Sequence, residues 1–315
     1  MSLPEHDPAI PRTMKDEIST SNHHYIPRFY LRGFTNDEGL LYLYDKRTGH
    51  IKVTGPGGAF FEIHGNTGFL QRKETGEKHW TDMAEHLLAG LDTSLAGCLA
   101  IIRDTNAKMN VMGSPVVIAV VKQLIHFLYW RTPSNKAKLD RLLATVPFKD
   151  LGFGIFSKNR KRQREAEQLL ATIDVWRKCA PALIATARHL SNYRQDNNAD
   201  WGIYYGEENH YLVTDNPVLL TSYTGPESLE KDLLFPLAGN MLAISRPGSK
   251  KHGVDLEYRE KLDIVLFQQA ERYVASSKKG YLLHILENVA EYSRNGNGWE
   301  EQLKAEVLGA FLTQE

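Results

Sequence analysis

The apolar positions of this chain fall into three rhythms. Ile26, Phe29, Tyr30 and Phe34 follow helical spacing, with Pro27 suited to a first turn and Gly33 to a stop. Leu40-Leu41-Tyr42-Leu43-Tyr44 and His50-Ile51-Lys52-Val53-Thr54 then bracket Asp45-Lys46-Arg47-Thr48-Gly49, which predicts a hairpin. From Trp80 to about Leu190 the period becomes helical. Met83, Leu87, Leu88, Leu91, Leu95, Leu99 and Ile102 keep to one helical face. Residues 116–130 are apolar on nearly every side, which predicts a buried central helix stopped by Arg131-Thr132-Pro133. One or two further helices are expected over 159–190. In the third region, 201–205 and 211–213 flank the turn Gly206-Glu207-Glu208-Asn209 and predict a second hairpin. Short strands are expected at 218–222, 233–235 and 241–244, and helices at 258–276, 280–292 and 300–312.

Strands, helices, then strands and helices without regular βαβ alternation give an α+β class. The expected architecture is an N-terminal short helix and β-hairpin, a central long-helix bundle, antiparallel strands after residue 200, and C-terminal helices. Residues 1–21 are polar and proline-bearing and read as a flexible N-terminal arm, with 22–315 as a single α+β domain.

Composition narrows this little. The 38 basic and 38 acidic residues cancel, which argues against a protein that coats nucleic acid but not against a nuclease. Cys98 and Cys179 lie inside apolar helical patterns and read as small buried hydrophobes, not as a disulfide or a zinc site. The N-terminus shows no apolar leader, and the run 116–125 is shorter than the roughly 20 residues a bilayer requires. The expectation is a cytoplasmic protein with no membrane partner; no pattern speaks to an oligomeric state.

Three polar phrases carry the candidate chemistry. His23 and His24 precede the short helix, whose positive dipole end disfavours imidazolium, and a neutral ring suits a general base or a metal ligand. Neighbours in an extended segment point apart, so one histidine is expected to act and the other to support it. Asp215 and Asn216 end a strand before Pro217, where a carboxylate either closes a turn or orients a histidine or cation. Arg131 ends the buried helix, where it serves the dipole or grips a phosphate or carboxylate. Two weaker groups read better as solvated surface: His79, Asp82, Glu85 and His86 at a helix start, and the basic run at 158–164. The chain contains no GxGxxG after a strand, no P-loop, no GxSxG elbow and no CxxC.

The phrase His23-His24-Tyr25-Ile26-Pro27, with Phe29-Tyr30-Leu31 and Phe34, resembles the N-terminal signature of the bacterial "domain of unknown function 4238" proteins. Arg131-Thr132-Pro133, Thr214-Asp215-Asn216-Pro217-Val218 and Phe235-Pro236-Leu237 match further phrases of that family in the same order. The resemblance covers about residues 22–276. It departs at Val213-Thr214-Asp215, where Thr-Ser-Asp is common in the family, and so weakens any hydroxyl role there. It implies that phrases far apart in the chain converge on one pocket, and it implies no reaction.

Two functions follow as expectations. The first is a hydrolase acting on a phosphoester or nucleic acid, a phosphodiesterase or nuclease, through His23, His24, Arg131, Asp215 and Asn216. Its cofactor would be a divalent metal ion with His24 and Asp215 as candidate ligands. The alternative is a non-catalytic sensor that reads a small anion or a peptide with the same groups; a third reading makes the phrases turn-formers only.

Overall fold

Which segments pair is decided by where each apolar stripe finds a partner. The computed structural model describes residues 22–71, 75–76, 78–104, 114–152, 158–162, 174–192, 201–206, 211–245 and 256–309. In chain order its elements are β1 (Asn22–His24), α1 (Arg28–Leu31), β2 (Leu41–Asp45), β3 (His50–Thr54), β4 (Phe61–Ile63), β5 (Gly68–Gln71) and β6 (Lys78–Thr81). The helical region follows with α2 (Met83–Asp104), α3 (Pro115–Arg131), α4 (Lys136–Thr145) and α5 (Asp174–Asn192). The last part contains β7 (Trp201–Tyr205), β8 (Val213–Thr214), β9 (Leu219–Leu220), β10 (Leu233–Ala238), β11 (Met241–Ser245), α6 (Leu256–Gln269), β12 (Tyr273–Ser276), α7 (Lys279–Tyr292) and α8 (Trp299–Gly309). The class is α+β.

Two four-stranded antiparallel sheets carry most of the strands, in the orders β3-β2-β12-β8 and β7-β11-β10-β9. The β2–β3 hairpin forms as its sequence predicts, with Leu41 opposite Thr54 and Asp45 opposite His50. The second hairpin does not. β7 pairs with β11, and β8 pairs with β12, so the two arms belong to different sheets. Helix 258–276 is also corrected, because α6 ends at Gln269 and Tyr273–Ser276 is a central strand between β2 and β8. Buried strands with short apolar runs have no period to distinguish them from a helix end. The pairs β1–β4 and β5–β6 were not expected from the sequence.

The centre is α3, where every residue from Ile118 to Trp130 is buried. It packs chiefly against α5, which also receives α2. The inward face of α2 is Ala84, Leu88, Leu95, Leu99 and Ile102, whereas Met83 and Leu87 are exposed. By length and composition alone α2 would suffice to cross a membrane; here one side of it covers the helical core. A continuous set of buried apolar side chains runs from Tyr25 to Leu308. The part of the 159–190 helix expectation at 163–173 lies outside the described residues; residues 160–162 are helical and α5 accounts for 174–190.

One arginine ties the N-terminal phrase to the second sheet. Arg103, at the end of α2, donates to the carbonyls of Phe29 (3.0 Å), Tyr30 (2.9 Å) and Leu237 (2.6 Å). Tyr30 Oη donates to Pro236 O at 2.5 Å, and Gly239 N–H to Gly33 O at 2.8 Å. A Cβ on Gly33 would stand 2.2 Å from the Arg103 guanidinium. Gly33 is therefore required by close approach, not as a left-handed helix stop.

Candidate histidine–arginine site

β1 is three residues long, and its two histidines obey strand alternation. Both are buried, His23 at 1% and His24 at 7% exposure, but they face different cavities. His23 lines a cavity of about 250 Å³ with Tyr25, Asn66, Trp130, Arg131 and Lys136. His24 lines one of about 500 Å³ with Asn22, Arg28, Arg32, Thr93 and Arg131. The two rings diverge, as neighbours in an extended segment do.

His23 is held from behind. Its Nδ1 accepts the Asn66 N–H at 2.9 Å, which leaves Nε2 as the protonated nitrogen of a neutral ring. Asn66 Nδ2 donates to Glu85 Oε2 at 2.7 Å, and Thr67 Oγ1 donates to the buried Asp82 at 2.9 Å. Asp82 and Glu85 thus fasten the 64–67 loop and α2 to β1. Among the described residues no group of three His, Cys, Asp or Glu side chains gathers as a metal ligand set.

His24 has a divided partner. Its Nε2 lies 3.3 Å from Gly57 O and 3.4 Å from Arg28 Nε. When protonated, Nε2 donates to the carbonyl; when unprotonated, it accepts from the guanidinium, so one nitrogen serves one partner at a time. Burial holds the imidazole below its ordinary value, and Arg28 and then Arg131 add to that shift against the Gly57 carbonyl. The shift runs in the direction that disfavours imidazolium, with burial as its largest cause and the two arginines adding to it.

Arg131 meets β1 through the backbone. Its Nη2 donates to His24 O at 2.5 Å and its Nη1 to Asp92 Oδ1 at 2.7 Å, while the guanidinium lies 4.5 Å from the Phe127 ring centroid. Burial pushes the Asp92 carboxyl up, and Arg131 pulls it part of the way back. This arginine locks β1 between α2 and α3, and two of its nitrogens are already committed.

Asp215 and Asn216 are elsewhere, which corrects the single-pocket expectation. Asp215 accepts the N–H groups of Glu271 (2.9 Å), Arg272 (2.7 Å) and Tyr273 (2.8 Å), where the chain turns into β12. Burial raises its carboxyl above the ordinary value, and the three N–H bonds oppose that shift. Asn216 Nδ2 donates to Gln269 O, and Gln269 Nε2 donates to the carbonyls of Asn216 and Val218. A metal shared by His24 and Asp215 does not fit, because both carboxylate oxygens face backbone N–H groups. The link from this corner to the histidines is Tyr25, whose hydroxyl is raised by burial and by the Asp215 charge.

Two of the distant phrases therefore meet the N-terminal one, Arg131 at His24 and Pro236 at Tyr30, whereas Asp215 binds the segment that enters β12. The family described as "Protein of unknown function (DUF4238)" matches residues 22–280. The chain belongs to the DUF4238 family. No curated protein and no solved structure matches it. The DUF4238 match begins at β1 and ends just inside α7, so it spans both corners.

Sequence reading missed Arg28 and Arg32, although both sit in the phrase it singled out, and it missed Asp92, Asn66 and His126. Arg28 and Arg32 carried a signal, being four residues apart on one helical face after the histidines. His126 is fully buried in α3, with Nε2 3.3 Å from Glu230 Oε1, and an all-apolar helix gave no reason to single it out.

Proposed function

We propose that this protein hydrolyses phosphoesters in the His24 cavity, with His24 as general base and Arg28 and Arg32 as the phosphate-binding charges. The observation that carries the reading is a buried, neutral-leaning imidazole at the wall of a cavity of about 500 Å³, with the Arg28 guanidinium 3.4 Å from its Nε2. Arg28 and Arg32 are exposed and follow His24 by four and eight residues, so an oxyanion in the cavity meets two cations at once. An anion that draws Arg28 away from Nε2 leaves that nitrogen unprotonated and open to a water. His24 then takes the water proton as the water oxygen bonds to phosphorus. The ester P–O bond breaks, and the leaving oxygen takes a proton back from the imidazolium. Arg131 contributes position: by holding His24 O it fixes β1.

The test is turnover of bis(p-nitrophenyl) phosphate and of a labelled oligonucleotide by the full chain. His24→Ala is expected to remove turnover by about 10²- to 10⁴-fold, the range for loss of a positioned base. Wild-type protein inert toward every phosphodiester, or a His24→Ala variant as active as wild type, refutes the reading.

One observation favours the non-catalytic anion sensor instead. The two carboxylates that line the His24 cavity are engaged, Asp92 by Arg131 and Glu85 by Asn66, so neither is set to serve as a partner acid. That reading expects inorganic phosphate binding, lost in an Arg28→Ala/Arg32→Ala double variant, with no turnover of any ester.

A further inference from the structure

We infer that the ligand served by the His24 cavity is single-stranded nucleic acid, with a base seated in an aromatic cavity that adjoins it at Phe61. The inference rests on the phosphoester reading for its cleavage step and stands apart from it for binding.

The second cavity measures about 490 Å³ and is lined by Leu43, Lys52, Phe60, Phe61, Arg272 and Tyr273, with Glu62 at its edge. Its position follows from strand register. In the β1–β4 pair His24 stands opposite Phe61, and the two rings lie 5.6 Å apart at a tilt of 48°. As cross-strand partners the two rings lie side by side on one face, His24 lining one cavity and Phe61 the other, so the ring pair stands between them. Gly57 and Gly58 make the low part of that partition: Gly57 O points to His24, and Gly58 lines the Phe61 cavity.

Its chemistry suits a base and its backbone. Leu43 and Phe60 are fully buried and form the floor, whereas Phe61 and Tyr273 are half-buried and present ring surface. The Arg272 guanidinium lies 4.5 Å from the Tyr273 centroid, held by Asp45 at 3.0 Å, and its side chain stays 40% exposed. Exposed Lys52 donates to Gly58 O at 3.2 Å, from the strand beside Val53, itself 55% exposed. Arg28 and Arg32 continue the charge into the His24 cavity. Five cations line the two cavities, Lys52 and Arg272 in one and Arg28, Arg32 and Arg131 in the other, against the three carboxylates Glu62, Glu85 and Asp92, which leaves a modest positive excess interleaved with aromatic rings.

Stacking on aromatic side chains is sequence-tolerant and requires unpaired bases, which separates single strands from duplex. A base against Phe61 would place its phosphate toward Arg28 and Arg32, next to His24.

Fluorescence anisotropy with a labelled oligothymidine of about 12 nucleotides tests this, with the same length of duplex as control. The full chain is expected to bind the single strand better than the duplex, with affinity falling as salt rises. Phe61→Leu, which keeps an apolar contact with His24 but removes the stacking face, is expected to weaken single-strand affinity by about 5- to 100-fold. Lys52→Glu, at an exposed position that leaves the core intact, is expected to weaken it by about tenfold. Equal single-strand affinity in wild type and in both folded variants overturns the inference. So does a wild-type protein that cleaves bis(p-nitrophenyl) phosphate without holding the oligonucleotide, or one that binds a phosphotyrosyl peptide through Phe61 in its place. Oligonucleotide binding that depends on Phe61, without hydrolysis of any ester, supports the base subsite and removes the catalytic reading alone.

Discussion

The His23–His24 corner and the Asp215–Asn216 corner look equally chemical in the sequence, and the fold treats them in opposite ways. At Asp215 both carboxylate oxygens are saturated by three successive backbone N–H groups, and Asn216 is stapled to the end of α6 by Gln269. At His24 the ring nitrogen has two long contacts that exclude each other, and a cavity lies in front of it. A polar group whose bonds are complete is part of the frame, whereas one with exchangeable bonds beside open space is available to a ligand. The difference lies in hydrogen-bond saturation, not in residue type or burial, since both side chains are buried.

The largest effect tests the available side. His24→Ala should reduce phosphodiester turnover by at least about 100-fold while changing the urea midpoint little. The wild-type rate should rise with pH along a limb centred below 6.5, because burial and Arg28 lower the His24 value. A limb above 6.5 would contradict that assignment.

Next comes the saturated side. Asp215→Ala leaves the N–H groups of residues 271–273 without their acceptor at the entry to a central strand. A loss of about 3 kcal/mol in denaturant unfolding is expected, with ligand affinity of the folded fraction retained. Retained stability with lost affinity would reverse the comparison.

Arg131→Met acts on the frame of the His24 corner. It strands Asp92, whose side chain is 28% exposed, and frees His24 O, so about 2 kcal/mol is expected after discounting for solvent. Turnover should fall as well, because β1 loses its anchor.

The smallest effect concerns pH and stability. Burial lowers His126 below 6.5 more strongly than Glu230 raises it, with Arg188 adding to the lowering and Glu227 opposing it. The folded state then binds fewer protons than the unfolded state, so stability is full above 6.5 and declines as pH falls through 6.5 toward the folded value. His126→Gln should flatten that decline in urea titrations at a series of pH values.

Part of this was legible. The β2–β3 hairpin, α2, α3, α7 and α8 follow from periodicity, since each buries one stripe or, for α3, its whole circumference. Divergence of His23 from His24 followed from strand geometry alone. The 201–213 hairpin was misread because a turn signal reports that the chain reverses and not which strand receives it; β7 and β8 went to separate sheets. Tyr273–Ser276 was misread because four residues after a helix carry no period.

By itself the sequence determined the class, the long helices and the list of polar phrases, because these rest on local spacing and on the stiffness of strands and helices. Only the tertiary structure decided which polar groups were spent. Arg131 reaches His24 across 107 residues and Arg103 reaches Leu237 across 134, and such contacts are set by how buried surfaces stack. Whether a carboxylate or an imidazole keeps a bond to offer depends on those long-range partners, and local pattern has no access to them.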